Sequence, residues 1–440
     1  MHGDEGTPAA LWAAWTAAAN LPEIDLSAVR RLVIVAAHPD DESLGAGGLI
    51  ATAIARGVPT SVLVATVGEG SHPASPTHPP EALARLRRRE LAAAAAVLGL
   101  EESAVATMAV PDGHVVEHRD EITAAIVDLV GDGRNTLLVA PYEADGHPDH
   151  DEMGRCAAAA AHRTGAMLAE YPIWLWHAGH SRDMPWDRLV RLPLAPTAQE
   201  AKRAALACHV SQVRPLSDQP GDETILPHAV LAHFTRDEEI FALTAPADTR
   251  DDRLDQLHAE QDDPWGAQSS WYEQRKRSLL LAALPRPRFG RALEVGCSTG
   301  VLAQCLGDRA HSLVAVDSSP AALGVARNRL GDAADLRLMA VPHDWPEGRF
   351  DLVVVSEVGY FLSPIELEGL VQRVISCLTS DGVVVLCHWR HPVRGWPLDA
   401  ARVHDAFRRP DLPPPAATYL DRDVEIVVHA EPDQWPDHQR

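Results

Sequence analysis

The chain has 440 residues, more than a single hydrophobic core usually organises, so we expect two domains that each bury a core of their own. Its 62 Asp and Glu residues outnumber 39 Lys and Arg residues, and the formal net charge of -23 argues against nucleic acid or a membrane as partner. The six cysteines form no C-x-x-C pair, which disfavours a disulfide framework or a cysteine zinc cluster and favours a cytoplasmic protein.

The N-terminal segment lacks the features of a secretory signal or a membrane span. Asp4 and Glu5 stand where a secretory signal would carry positive charge, and the apolar stretch from 9 to 19 is too short to span a bilayer. We interpret this stretch as an amphipathic helix with Leu11 and Trp15 on one face.

Two series of alternating apolar and helical segments organise the rest of the chain. In the first series, apolar runs predict strands at 32–36, 61–66 and 136–140, and an alanine-rich helix from about Glu81 ends at Gly99. In the second series, the predicted strands are 291–295, 312–316, 350–356 and 382–387. We therefore predict two Rossmann-like α/β domains, each a mostly parallel sheet flanked by helices.

An acidic segment that is poor in bulky apolar residues separates the two series. We predict that residues 246–260 form a linker. The first domain would then span 1–245 and the second 261–440.

Polar side chains follow two of the predicted strands in the first domain. His38, Asp40 and Asp41 come directly after the strand at 32–36, and a cluster at 145–151 follows the strand at 136–140. Open α/β sheets place ligand sites at the carboxyl ends of their strands, so we expect the two clusters to meet at one edge. A lone histidine is more often a capping or core residue, but two such clusters favour a metal site. Two histidines and one carboxylate leave an open position, where bound water becomes acidic enough to act as hydroxide near neutral pH.

These motifs resemble the PIG-L/LmbE-like family of N-acetylglucosamine-type deacetylases. The resemblance covers nearly all of 31–243 and rests on AHPDDE at 37–42 and HPDH at 147–150. It implies that Zn²⁺ or another divalent metal is held by three ligands, namely His38, Asp41 and His150.

The same resemblance implies roles for four further residues. Asp40 would be the general base, and His147 would stabilise the tetrahedral intermediate. Arg87 and Asp112 would bind hydroxyl groups of a sugar or cyclitol. The alternative for Arg87 is an exposed helix pair with Glu90, at i, i+3 spacing.

A glycine-containing loop follows the first strand of the second domain. The loop EVGCSTG at 294–300 opens a predicted helix, and Asp317 ends the next strand about twenty residues on. Backbone at a helix N-terminus can approach a ligand closely, and a carboxylate in that position can bind ribose hydroxyls. A nicotinamide cofactor is the disfavoured alternative, because no glycine follows at the helix-packing position of a dinucleotide fingerprint.

This segment resembles class I S-adenosylmethionine-dependent methyltransferases, in particular NodS-like N-methyltransferases, over roughly 262–390. The resemblance rests on DPW at 263–265, the loop at 294–300 and SEVGY at 356–360, among other positions. The sequence departs from the pattern at Ser298, where many of these enzymes keep a glycine, and near Val341, where the usual acidic adenine contact has no counterpart. The residues that the resemblance assigns to S-adenosylmethionine are Tyr272, Lys276, Glu294, Gly296, Cys297, Gly300, Asp317 and Ser318.

Three residues near strand ends are candidates for the methyl acceptor's side of the second site. Glu357 and His388 could orient or deprotonate an amine, and Tyr360 could bind the acceptor. Positioning can supply much of the rate of methyl transfer to a neutral amine.

Together, the two resemblances imply a bifunctional enzyme of natural-product biosynthesis. It would remove an N-acetyl group from an amino-sugar-like or aminocyclitol-like small molecule and then N-methylate the freed amine. The alternatives for the second domain are an O-methyltransferase and a methyltransferase-like binding module. The sequence leaves a homo-oligomer open.

Overall fold

The computed structural model describes residues 6–249 and 251–435, so Asp4 and Glu5 lie outside the described residues. The chain divides into two compact units, Met1–Arg250 and Asp251–Arg440. A helix at Arg253–Glu260 occupies half of the segment for which we expected a linker, and the domain boundaries stay a prediction. In the part of the chain that the structure describes, no helix is both long and apolar enough to cross a bilayer.

The first unit is built on a mixed sheet. Its strands within the described residues are β1 (Arg31–Ala36), β2 (Thr60–Thr66), β3 (Val105–Val110), β4 (Thr136–Pro141), β5 (Met167–Tyr171), β6 (Leu189–Pro193) and β7 (Glu238–Thr244). They lie in the order β3-β2-β1-β4-β5-β7-β6. Strands β1 to β5 run parallel, and β7 runs antiparallel to both β5 and β6.

The helices of the first unit connect and cover these strands. They are α1 (Ala9–Ala19), α2 (Asp41–Ala55), α3 (Pro80–Leu98), α4 (Arg119–Val130), α5 (Pro148–Thr164), α6 (Trp174–Ala178), α7 (Pro196–Cys208), α8 (Val210–Val213) and α9 (His228–Leu231). Helix α3 ends as expected at Gly99, whose φ of 90° is left-handed and costs glycine little.

The buried face of α1 differs from the expected one. Leu11 is exposed and Trp15 is half-buried, whereas Trp12 and Thr16 are buried. The Trp12 indole N–H donates a 2.6 Å hydrogen bond to the carbonyl of Trp176. A tertiary hydrogen bond of this kind decides which helix face turns inward, and the spacing of Leu11 and Trp15 does not reveal it.

The second unit repeats the architecture. Its strands within the described residues are β8 (Phe289–Val295), β9 (Ala310–Asp317), β10 (Asp335–Leu338), β11 (Phe350–Ser356), β12 (Leu378–Trp389), β13 (Pro415–Leu420) and β14 (Val424–His429). Its helices are α10 (Arg253–Glu260), α11 (Trp271–Ala283), α12 (Val301–Gly307), α13 (Pro320–Leu330), α14 (Pro364–Cys377) and α15 (Ala400–Ala406). The strand order is β10-β9-β8-β11-β12-β14-β13, with β14 antiparallel to both of its neighbours.

The apolar runs of the sequence form strands because both faces of each sheet are covered. In β1, Leu32 and Ile34 belong to one buried cluster, while Val33 and Val35 belong to a second cluster on the opposite face. The central strand β11 of the second unit alternates between two clusters in the same way. The predicted fold class, two mostly parallel α/β sheets flanked by helices, is therefore confirmed.

In both sheets, the order in which successive strands are added reverses at the first strand. β1 pairs with β2 on one side and with β4 on the other, and β8 pairs likewise with β9 and β11. The loops that leave the two central strands of such a sheet diverge and leave a crevice, where ligands bind. Each unit thus has one such crevice at the carboxyl ends of its strands.

Candidate active sites

The crevice of the first unit collects the two polar clusters. His38, Asp40 and Asp41 lie between β1 and α2, and His147 and His150 lie where α5 begins. These loops come from the neighbouring strands β1 and β4, as expected from the sequence.

Three ligating groups converge at the base of this crevice. The Nδ1 atom of His38 is 3.2 Å from Nε2 of His150, the latter is 3.3 Å from Oδ1 of Asp41, and Oδ2 of Asp41 is 3.6 Å from Nδ1 of His38. Bond lengths of about 2.0–2.2 Å in a tetrahedral zinc site place ligand atoms about 3.4 Å apart. The residues present therefore fit a divalent metal.

The second ring nitrogen of each histidine faces a carboxylate. His150 Nδ1 is 2.7 Å from Oδ2 of Asp145, and His38 Nε2 is 3.1 Å from both Oδ2 of Asp149 and Oδ1 of Asp112. A carboxylate that accepts one ring N–H leaves the other nitrogen unprotonated and able to bind a metal. Sequence reasoning missed this role of Asp145, although Asp145 stands within the cluster at 145–151.

Two further groups of candidate ligands share His38. One comprises His38, His147 and His150, and the other comprises His38, Asp112 and Asp149. In each group the ligating atoms lie within 4.8 Å of one another. The two groups lie on different sides of the His38 ring, because Asp112 and Asp149 face its Nε2 atom.

Asp40 occupies a strained and buried position beside an arginine. Its φ of 122° is rare for a residue other than glycine, and such strain is concentrated at functional sites. Burial raises the pKa of Asp40 to about 6, while the Arg87 guanidinium opposes the rise and Asp41 adds to it. Arg87 Nη2 lies 3.0 Å from Oδ1 of Asp40. A carboxyl group with such a pKa can accept a proton near neutral pH.

His147 has the electrostatics of a neutral imidazole. Burial and the neighbouring His150 and His38 lower its pKa to about 4. Its Nδ1 atom accepts a 3.3 Å hydrogen bond from the backbone N–H of Asp149. The hydrogen of the neutral ring then resides on Nε2, which can donate to an oxygen of a ligand.

The structure excludes the exposed helix pair as an explanation of Arg87 and Glu90, because both residues are buried and bind different partners. Arg87 donates to the carbonyls of Gly68 and Pro39, and Glu90 accepts from the backbone and hydroxyl of Ser211. These hydrogen bonds attach α3 to the loops of Gly68 and Pro39 and to helix α8.

A cavity of about 210 Å³ opens above these groups. One part of its wall is polar and comprises His38, Asp40, Arg87, Asp112, His147 and Gln212. Another part is apolar and comprises Leu44, Ile173, Ile225 and Leu226. Sequence reasoning identified most of the polar wall. Of the apolar residues, Leu44 lies on α2 just after the first motif, but Ile173, Ile225 and Leu226 come from distant loops that no local motif indicates.

The crevice of the second unit is formed by the loop after β8 and the residues after β11. Gly296 and Gly300 have φ values of 74° and 76°, and a Cβ atom at Gly296 would lie 2.8 Å from the Val358 side chain. Asp317 accepts hydrogen bonds from the backbone N–H groups of Ser298 and Ser319, at 2.7 and 2.9 Å. The loop and the end of β9, where Ser318 follows Asp317, are thereby held together.

Buried polar atoms without partners surround this loop. Within the described residues, they include Oε2 of Glu294, Oγ1 of Thr299 and Nδ1 of His258. Burial, with the nearby Asp317 carboxylate, raises the pKa of Glu294 well above its usual value. Buried polar groups are normally hydrogen-bonded, so a charged and polar ligand such as S-adenosylmethionine fits here.

Burial also raises the pKa of the Cys297 thiol well above its usual value. A redox-active cysteine needs a lowered pKa, so this thiol is a small buried group of the loop and not a reactive one.

Glu357 is the centre of a hydrogen-bonded network at the end of β11. It pairs with Lys276 at 2.8 Å, accepts from the Tyr360 hydroxyl, and accepts from the backbone N–H of Trp389 at 3.2 Å. Burial raises its pKa, and Lys276 opposes the rise. The Tyr272 ring lies 5.1 Å from Nζ of Lys276, so the structure brings together four of the residues that the sequence singled out.

His388 packs its ring against Tyr360 of this network, with 5.4 Å between the ring centroids, but its hydrogen bonds are made to other residues. It is buried, its Nε2 atom accepts from the backbone N–H of Gly359 at 3.3 Å, and its Nδ1 atom faces Nε2 of His404 at 3.1 Å. Both ring nitrogens therefore have protein partners, and neither is open to a methyl acceptor in this conformation. Between the two predicted candidates, the geometry favours Glu357.

Each unit matches a known family model. Residues 33–161 match the family model GlcNAc-PI de-N-acetylase (PIG-L), and residues 247–400 match Nodulation protein S (NodS).

Curated relatives match each half of the chain. The 1D-myo-inositol 2-acetamido-2-deoxy-alpha-D-glucopyranoside deacetylase of Rhodococcus opacus (strain B4) is 31% identical over 208 residues, which are 42% of this chain and 67% of that protein. Nodulation protein S of Rhizobium tropici is 31% identical over 128 residues, which are 28% of this chain and 54% of that protein. The chain spans about half the length of several curated relatives that it matches.

Among solved structures, the N-methyltransferase NodS of Bradyrhizobium japonicum WM9 in complex with S-adenosyl-L-homocysteine is 20% identical to this chain. The match covers 41% of this chain and 97% of that one, with a TM-score of 0.38. By the family match and a curated relative, the first unit of this fusion chain belongs to the PIG-L deacetylase family, and its second unit is similar to Nodulation protein S.

Proposed function

We propose that the first unit is a metal-dependent N-deacetylase and the second an S-adenosylmethionine-dependent N-methyltransferase, acting in turn on one amino-sugar-like small molecule. The family matches support both activities. The names of the relatives, a deacetylase of an acetamido-sugar linked to inositol and a nodulation protein S, motivate the substrate class and the cascade.

The observation that carries the proposal is the convergence of His38, Asp41 and His150 with spacings of 3.2–3.6 Å. This set uses the one nitrogen of each histidine that faces no carboxylate other than that of Asp41, itself a member of the set. A metal on the other side of His38 would need Nε2, which already faces Asp112 and Asp149. We therefore prefer the two imidazoles and Asp41 as ligands, a set that suits zinc and other divalent ions.

A divalent metal in this position supplies a Lewis acid that makes water more acidic and polarises a carbonyl oxygen. Asp40 takes up the proton of the attacking water, and Arg87 holds the Asp40 carboxylate in place. The Nε2–H of His147 donates to the oxygen that becomes negative in the tetrahedral intermediate. Asp112, on the cavity wall, binds a hydroxyl group of the sugar or cyclitol.

In the second unit, positioning supplies much of the rate of methyl transfer. Asp317 and the loop at 294–300 hold S-adenosylmethionine, whose sulfonium carries the methyl group. Glu357 takes the surplus proton of the acceptor amine, and Lys276 and Tyr360 fix the direction of its carboxylate.

The metal site can be tested by separating binding from chemistry. His150→Ala should lose the bound metal and the release of acetate from 2-acetamido-2-deoxyglucosyl inositol, because one of three ligands is removed. Asp40→Asn should keep the metal and lose acetate release, since only the proton acceptor is changed. Metal content by atomic emission distinguishes the two variants, and Asp128→Ala, an exposed change on α4, is the matched control. Full metal occupancy in His150→Ala would contradict the ligand set.

A further inference from the structure

Helix α10 lies in the segment that the sequence indicates as a linker, yet it contacts the cofactor loops of the second unit. It packs against α13, the helix that follows Asp317. Asp255 and His258 stand three residues apart on α10, so they share one face of the helix.

These two side chains reach the two serines that hold Asp317. The Asp255 carboxylate accepts a hydrogen bond from the Ser319 hydroxyl, and His258 Nε2 lies 3.4 Å from the Ser298 hydroxyl. The backbone N–H groups of the same serines donate to the two oxygens of Asp317. Helix α10 is therefore connected, through these two serines, to the carboxylate expected at the ribose.

His258 is a buried residue with one ring nitrogen, Nδ1, that could bind a ligand. The residue is 8% exposed, and within the described residues its Nδ1 atom has no hydrogen-bond partner. Burial lowers the pKa of His258, which favours the neutral ring. When Nε2 accepts from the Ser298 hydroxyl, Nδ1 carries the hydrogen and requires an acceptor, which none of the described residues supplies.

The loop at 294–300 carries two more buried polar atoms that have no hydrogen-bond partner among the described residues. Oε2 of Glu294 is an acceptor, and Oγ1 of Thr299 can donate. Oε2 of Glu294 could accept from an ammonium group, whereas the His258 N–H and the Thr299 hydroxyl could donate to a carboxylate. The amino-acid end of S-adenosylmethionine has these charges, and its adenosine end does not.

We propose that α10 is part of the cofactor site and that the His258 Nδ1–H donates to the carboxylate at the amino-acid end of S-adenosylmethionine. The proposal rests on the proposed methyltransferase function of the second unit. It makes His258 a cofactor-binding residue contributed by the segment between the two cores.

The test compares two cofactor fragments on the full-length protein. S-adenosylhomocysteine retains the amino-acid end, whereas 5′-methylthioadenosine lacks it. By calorimetric titration, His258→Ala should bind S-adenosylhomocysteine about tenfold more weakly or worse, as for a lost hydrogen bond to a charged group. Its affinity for 5′-methylthioadenosine should stay within about twofold, because no hydrogen bond to that ligand is removed. His258→Gln keeps an N–H donor and should recover part of the affinity.

The matched control is His311→Ala, since His311 is an exposed histidine on β9 of the same unit. It should bind both ligands like the unmodified protein. The proposal is overturned if His258→Ala keeps its affinity for S-adenosylhomocysteine, or if both ligands lose affinity equally, which would indicate a purely structural role. Failure of the unmodified protein to bind S-adenosylhomocysteine would instead contradict the methyltransferase function itself.

Discussion

The carboxylate of Asp145 accepts a hydrogen bond from Nδ1 of His150 over 2.7 Å, and the same carboxylate accepts three backbone N–H groups from Ile173, Trp174 and Leu175. Those backbone bonds hold Asp145 in one orientation. The carboxylate in turn directs Nε2 of His150 towards Asp41 and His38. Asp145 is thus a positioning residue for a proposed metal ligand.

Replacing Asp145 should weaken the metal site without removing a ligand. We expect Asp145→Ala to lower metal affinity by about 10- to 100-fold, the range for partners of ligating histidines. Competition against a chelator of known affinity measures the change, with Asp128→Ala as the control. An affinity equal to that of the unmodified protein would show that Asp145 does not orient His150.

In the second unit, Asp317→Ala should weaken binding of S-adenosylhomocysteine by roughly 1.5–3 kcal/mol, the range for hydrogen bonds to a charged partner. The change also frees the two serine N–H groups that hold the loop after β8. Calorimetric titration measures the affinity, and acetate release by the first unit should be unaffected. Unchanged affinity would remove Asp317 from the cofactor site.

Acid should destabilise the second unit through its buried histidines. Burial, with the charges of His429 and Arg408, lowers the pKa of His404 to about 4. A histidine with a folded-state pKa below the usual value of about 6.5 contributes stability that is present above that value and is lost as the pH falls through the folded pKa. This residue alone should reduce the free energy of unfolding by about 3 kcal/mol between pH 7 and pH 4.

Denaturant titration measures this effect. The unfolding transition of the second unit is recognised as the one that shifts when S-adenosylhomocysteine is added. In His404→Gln the amide oxygen can still accept the hydrogen bond from His388 Nδ1 but does not titrate, so the unfolding free energy of this variant should fall less over the same pH range. An identical fall in the two proteins would show that His404 does not contribute.

The sequence predicts that the three proposed metal ligands lie close together, because each of them is near the end of a strand. His38 and Asp41 directly follow one strand, and His150 follows another, so the parallel pairing of β1 with β4 is enough to bring them together. The apolar wall of the cavity could not be predicted in this way. Ile173 and Leu226 lie far along the chain from His38, and only the tertiary structure brings them to the cavity.

The second site shows where strand-end reasoning fails. Glu357 and His388 both stand near strand ends, but Glu357 has a φ of 59° and joins Lys276 and Tyr360, whereas His388 points into the interior. Side chains alternate between the two faces of a strand, and the face that each takes depends on register. The sequence did not predict the proposed role of α10 either, because the acidic composition of its segment is typical of a linker.

The two proposed activities should act in order, with deacetylation first. An amide nitrogen has its lone pair delocalised into the carbonyl group, the resonance that keeps peptide bonds planar, so it is a poor nucleophile towards a sulfonium methyl group. A freed amine is nucleophilic once it is neutral, and Glu357 lies where it could take the surplus proton. The acetylated substrate should therefore not be methylated directly.

In the most direct experiment, the Asp40→Asn protein is incubated with an N-acetylated amino sugar and S-adenosylmethionine, and the products are identified by mass spectrometry. We expect no methylated product, because the amine is never released. Supplying the synthetic free amine to the same protein should restore methyl transfer at the rate of the unmodified enzyme. Methylation of the acetylated substrate by Asp40→Asn at the unmodified rate would contradict the ordered reaction and would point to O-methylation or to two independent activities.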